Sequence, residues 1–150
     1  MKSREADQLV LSHFSLARDH PLEDRVRAAA AADFDGVGFF AGQYPSLGVG
    51  WDTAKIHDLL DRHGIVIAEV EALSGWGNST LSGRYLAFEQ LVWTLVDEFH
   101  VPYVQAIGSV EGSMADAARR FGELCDRAAM HGATVGLEFL PFTNIADVSD

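Results

Sequence analysis

The chain alternates short, nearly continuous apolar runs with longer segments whose apolar positions recur at helical spacing. Leu9-Val10-Leu11-Ser12-His13-Phe14 predicts a first strand. Pro21 then supplies a first-turn proline to a helix in which Leu22, Val26 and Ala29-Ala30 recur up to Ala32. Glu23 and Asp24 fall in its first turn, where the helix dipole favours acids. Gly36-Val37-Gly38-Phe39-Phe40 predicts a second strand, weakened by its glycines. A loop over 41–50 leads to Trp51-Asp52 and a helix through Leu59, Leu60 and His63. Gly64 ends that helix in the left-handed conformation that glycine adopts most cheaply.

Ile65 to Glu71 reads as strand three, followed by a loop of Ser, Gly, Trp and Asn as far as Gly83. The longest helix spans about Arg84 to Phe99, with Leu91, Val92, Leu95 and Phe99 on one stripe. Pro102 opens strand four, Tyr103 to Ile107, and a helix over Met114 to Met130 closes at Gly132. Thr134 to Leu140 is strand five, stopped by Pro141, and 143–150 resembles a capped first helical turn.

Apolar strands separated by helices indicate a parallel sheet covered on both faces. An open doubly wound sheet and a (β/α) barrel both satisfy that pattern. Ser12-His13-Phe14-Ser15-Leu16 after strand one has no glycine-rich phosphate fingerprint, which weakens the dinucleotide-binding version. Eight-stranded barrels take about 250 residues, whereas five strands fill nearly all of the 150 here. The expectation is one α/β domain over 1–150: about the first five strands of a TIM-type barrel, helices outside, cut within its fifth helix. A natural short form stays open as the alternative.

Composition narrows the function classes. Twenty-two acidic against 11 basic side chains give a formal charge of -11, which disfavours nucleic-acid binding. The single Cys125 excludes an internal disulfide, fits a reducing compartment, and on its helix reads as a buried inert thiol. The polar start MKSREADQ lacks the apolar core of a signal peptide. No apolar run approaches the roughly 18 residues of a membrane span. A soluble cytoplasmic protein is expected.

Polar residues inside apolar strands mark candidate chemistry. Glu138 interrupts strand five near its end, where a carboxylate is costly to bury unless paired, metal-bound or protonated. The carboxyl ends of barrel strands hold the chemistry of that fold, so Glu138 is the leading catalytic or metal-binding candidate. Its alternative is a buried carboxylate paired to Lys or Arg. Glu69 and Glu71 alternate on one face of strand three alongside Ile65 and Ile67, suited to a shared metal, to sugar hydroxyls or to ordinary partners. Glu71 lies nearer the strand end. His13 at the end of strand one is a candidate substrate contact or a hydrogen-bonded core histidine. Gln105 on strand four is a candidate for a ligand hydroxyl or a structural amide. Trp76, flanked by glycines, reads as an exposed loop aromatic that closes over a substrate, or one packed under its loop. The other histidines have no zinc-helix spacing.

Leu11-Ser12-His13-Phe14, Phe34-Asp35-Gly36-Val37-Gly38 and above all Gly136-Leu137-Glu138-Phe139-Leu140-Pro141 resemble the sugar isomerase/epimerase family with the xylose-isomerase-like barrel. The resemblance covers essentially the whole chain but only about the first five of the family's eight strands. It implies a divalent metal such as manganese or magnesium, with Glu138 matching the first ligand and an Asp, a His and a second Glu expected beyond Asp150. Gly38-Phe39-Phe40 departs from the acidic residue that often ends strand two in the family. The implied reaction is proton transfer beside a carbonyl of a carbohydrate or carbohydrate phosphate; His13, Glu71, Trp76 and Gln105 are the candidate substrate contacts by their own positions in the sequence. Two alternatives remain: a lyase or dehydratase acting on a cyclic polyol, and a non-catalytic half-barrel that forms a homo-oligomer across its open edges. The chain alone is expected to be inactive, to bind metal weakly at best, and to be marginally stable or self-associating.

Overall fold

The computed structural model describes residues 8–17, 19–46 and 52–147. Within them one parallel sheet runs in chain order: β1 (Val10–Leu11), β2 (Gly36–Phe40), β3 (Val66–Leu73), β4 (Tyr103–Ala106) and β5 (Thr134–Leu137). Helices α1 (Leu22–Ala31), α2 (Thr53–His63), α3 (Gly83–Phe99) and α4 (Met114–Met130) connect successive strands. The alternation is the predicted one, and the helix ends follow local chemistry. The Asp52 carboxylate accepts from the Lys55 amide, and Ser113 and Asp116 form a reciprocal capping box. Gly64 closes α2 at φ 66°.

The core lies between one face of the sheet and the helices. Val37 and Phe39 of β2, Ile67 and Val70 of β3, and Val104 and Ala106 of β4 are buried with Val26, Ile56, Leu59, Val92, Leu95, Val96 and Leu124. The alternate residues, Gly38, Glu69, Glu71, Tyr103, Gln105 and Gly136, belong to the sheet's other face. Val37 lies beside Ile67 but Gly38 lies beside Glu69, so the β2–β3 ladder skips Ala68. That bulge corrects the expected face-sharing on strand three: Ile65 and Ile67 go to the core, while Glu69 and Glu71 go to the opposite face. A second irregularity follows Glu71, where Ala72 takes φ 67°. A left-handed non-glycine residue costs about 1 kcal/mol.

Three strand and loop boundaries differ from expectation. β1 ends at Leu11 because Ser12 caps a 3-10 turn, His13–Ser15, with its hydroxyl accepting from the Phe14 amide. β5 ends at Leu137, so Glu138 follows the strand rather than interrupting it, although its amide still donates to the Ala106 carbonyl at 2.9 Å. Residues 41–46, expected as loop, form a 3-10 helix. The expected helical turn after Thr143 is a looser turn through residue 147, in which the Thr143 hydroxyl donates to the Leu140 carbonyl. Residues 148–150 lie outside the described residues. Cys125 is half-buried rather than buried. No helix among the described residues is long and apolar enough to cross a membrane.

The turn after β1 hangs on a buried cation. Arg25 of α1 donates to the carbonyls of His13 at 2.7 Å, Ala17 at 2.6 Å and His20 at 3.0 Å. Asp19 and Glu71 supply opposing charge. Arg25→Met keeps most of the packing and removes all three donors. We expect it to lower unfolding stability by about 2–4 kcal/mol in chemical denaturation. A loss below about 1 kcal/mol would show that the turn holds itself.

Candidate active site at the carboxyl end of the sheet

Glu71 is 0% exposed, and its two oxygens tie β3 to the end of β1. Oε2 accepts from the Ser12 hydroxyl at 3.0 Å, and Oε1 accepts from the His13 amide at 2.7 Å. Gly38, on the neighbouring strand, makes this possible. A Cβ there would run into the Glu71 carboxylate and press on that of Glu69. The two carboxyl groups act on each other directly. Burial, then Glu71, then the Glu138 charge, push the Glu69 pKa up to about 7.

Glu138 stands just past β5, exposed, and its carboxylate makes no hydrogen bond or ion pair among the described residues. The premise of a buried strand carboxylate is therefore corrected: the apolar run around Glu138 continues past the last ladder residue without being buried, as Phe139 and Phe142 are exposed too. Tyr103 lies across Gly136, where any Cβ would overlap its ring and hydroxyl. Burial, then Glu69 and Glu138, raise its pKa above the usual phenol value. Gln105 is half-buried, beside Gly136 in the ladder. Glu69, Tyr103 and Glu138 thus share one electrostatic neighbourhood, with Glu71 behind Glu69.

His13 is buried, with its ring 5.0 Å from Phe14 and 5.7 Å from Phe40. Trp76 is 4% exposed, which corrects its reading as an exposed aromatic. Its indole N–H donates to the Ile107 carbonyl at 3.1 Å, and its ring meets Phe121 edge-on at 5.3 Å. A buried indole needs such an acceptor, and the turn after β4 provides it. The strand-end loops are further cross-braced. Asn144 pairs with both backbone groups of Val110, and Arg120 donates to the carbonyls of Gly77 and Glu111.

Sequence reasoning missed Arg25, Gly38 and Tyr103. Gly38 had a signal, since a glycine beside strand glutamates makes room, but it read only as a weak strand. Tyr103 had none beyond its place in an apolar strand. Among the described residues no three His, Cys, Asp or Glu side chains gather into a metal-binding group. The described residues do not by themselves fit a firmly held cation.

No protein-family model matches the sequence, and no curated protein does either. Solved structures define the class of fold: that of part of a xylose isomerase-like TIM barrel. A xylose isomerase-like TIM barrel/4-hydroxyphenylpyruvate dioxygenase fusion protein is similar at 19% identity and TM-score 0.75, over 92% of this chain and 23% of that one. The IOLI protein with a zinc atom is similar at 15% identity and TM-score 0.74, over 89% and 51%. D-psicose 3-epimerase in the presence of D-fructose is similar at 12% identity and TM-score 0.65, over 89% and 53%. This chain spans about half the length of the latter two and about a quarter of the fusion protein.

Two outcomes test the carboxylate pair. Gly38→Ala forces Glu71 off its donors, and we expect a loss of about 1–3 kcal/mol in chemical denaturation. An unchanged midpoint would mean the strands yield freely. For Glu69, below its ordinary pKa of 4.5 both folded and unfolded chains hold the proton. Its stabilising contribution is then complete and is lost as pH rises from there through about 7. The melting temperature should therefore fall more across that window in wild type than in Glu69→Gln. Equal slopes in the two proteins would refute the raised pKa.

Proposed function

We propose that this chain forms part of a carbohydrate isomerase or epimerase that moves a proton beside a carbonyl. The observation that carries the reading is the Glu138 carboxylate, unpartnered among the described residues, just past the carboxyl end of β5 and within electrostatic reach of Glu69 in mid-β3 and of Tyr103, whose ring leans over Gly136. Glu138 is the base that takes the proton from the carbon next to the carbonyl. Glu69, which holds a proton up to about pH 7, supplies one to the carbonyl oxygen as charge develops there. Delivery of the proton held by Glu138 to the neighbouring carbon, with the hydroxyl there returning a proton to Glu69, gives an isomer; an epimer requires a second acid on the opposite face of the carbon, which these residues do not supply. D-psicose 3-epimerase, of the same fold, is named for the second of these.

The divalent cation expected from the family resemblance finds one ready ligand in Glu138. Hard cations bind through several oxygens, so a lone carboxylate holds manganese or magnesium weakly. No step is routed through the metal. A dehydratase reading has its own support in a probable 3-DHS dehydratase from Bacillus anthracis, similar at 18% identity and TM-score 0.63 over 87% of this chain. It shares the first step, proton removal beside a carbonyl, and differs in expelling a hydroxide.

Because Glu138 is exposed and unpartnered, Glu138→Gln should leave stability within about 0.5 kcal/mol of wild type. It should abolish the weak manganese binding expected of wild type, read by electron paramagnetic resonance. Unchanged manganese affinity, or a marked fall in melting temperature, would count against the assigned role.

A further inference from the structure

Tyr103 occupies a position that packing alone does not require. It is 36% exposed, and its ring lies across Gly136 on the face of the sheet opposite the helix-packed core. The sheet gives up a side chain at 136 to let the phenol through. The ring therefore makes the floor between β4 and β5 at the level where Gln105 pairs with Gly136. Its hydroxyl makes no hydrogen bond among the described residues, although Glu69 and Glu138 are both near enough to act on it electrostatically. A partly exposed phenol lying over Gly136, with no hydrogen bond of its own among the described residues, leaves its hydroxyl available to a third group. That group must accept or donate to a phenol and to carboxylates at once, which neighbouring hydroxyls on a carbon chain do.

We propose that Tyr103 is a substrate-contacting, specificity-determining residue: its ring carries the carbon chain of a polyhydroxy substrate and its hydroxyl bonds one substrate hydroxyl, between Glu69 and Glu138. This rests on the carbohydrate reading above and adds the surface that selects the substrate. Glycine at 136 belongs to the same device, because any larger residue displaces the phenol.

Tyr103→Phe tests this, since it keeps the ring and deletes a hydroxyl that has no partner among the described residues. Binding of D-fructose to the chain in the presence of magnesium is read by saturation-transfer NMR, and manganese binding is read separately by electron paramagnetic resonance. We expect the variant to bind D-fructose five- to tenfold more weakly, the scale of one lost hydrogen bond, with its melting temperature and manganese affinity unchanged. Equal D-fructose affinity in the two proteins overturns the role of Tyr103 and leaves the proposed function standing. A parallel loss of manganese affinity also overturns it, because the hydroxyl would then act through Glu138. If wild type binds neither D-fructose nor the cyclic polyol myo-inositol, the carbohydrate reading itself fails and the Tyr103 proposal falls with it.

Discussion

A carboxylate with no exposed surface must find donors inside the protein or destabilise the fold by several kcal/mol. Glu71 is in that position, and much of the sheet's carboxyl end is arranged around meeting its needs. The Ser12 hydroxyl and the His13 amide meet them, and in doing so they end β1 early. Once the His13 amide is committed to Glu71, its backbone cannot continue the ladder with β2, and the chain turns. Arg25 then gathers the carbonyls that this turn leaves without strand partners. Gly38 is the vacancy on the neighbouring strand that admits the carboxylate. One buried acid thus links the bulge, the short first strand and the buried arginine.

Glu71 also shapes the chemistry of its neighbour. With its own oxygens accepting from Ser12 and His13, it places negative charge against Glu69. Burial and that charge together hold a proton on Glu69 that an exposed glutamate would have released. Glu71 was a candidate substrate contact from sequence. Its full burial fits it better for holding Glu69 and the end of β1, while Glu69, Tyr103 and Glu138 face the accessible space.

How much of this was legible depended on whether local chemistry or a distant partner set each feature. β2 and α4 fall where the pattern puts them, because apolar period, the Ser113 cap and Gly132 are all encoded within a few residues. β1 and β5 were read too long, since Phe14 and Phe139-Leu140 extend apolar runs past the last ladder bond. What ends β1 is Glu71, far away in sequence. Glu138 stood out as an acid among apolar residues, and its place at the strand end was visible, yet its burial was not, because run length says nothing about what lies over a strand. Trp76 looked exposed for the same reason: the Ile107 carbonyl and Phe121 that bury it come from later elements. Arg25 carried no signal, as an arginine early in a helix ordinarily faces water.

The two faces of the sheet solve opposite problems. Toward the helices, large apolar side chains fill the available volume, as stability requires. On the other face, glycines at 36, 38 and 136 empty it, and the volume they leave is taken by groups from the next strand: Ala68 and Val66 at Gly36, the two glutamates at Gly38, the tyrosine ring at Gly136. A fold selected for packing alone gains nothing from setting Glu69 beside Glu71 with Glu138 close by, since each charge makes the next harder to keep. A face that places space and mutually repelling carboxyls together stores electrostatic free energy, and such arrangements are concentrated where a proton is held or a polar ligand is oriented. Fold likeness at under a fifth identity shows the barrel architecture alone, whereas Glu138 and its neighbours are what make this face suited to moving a proton on a polar ligand.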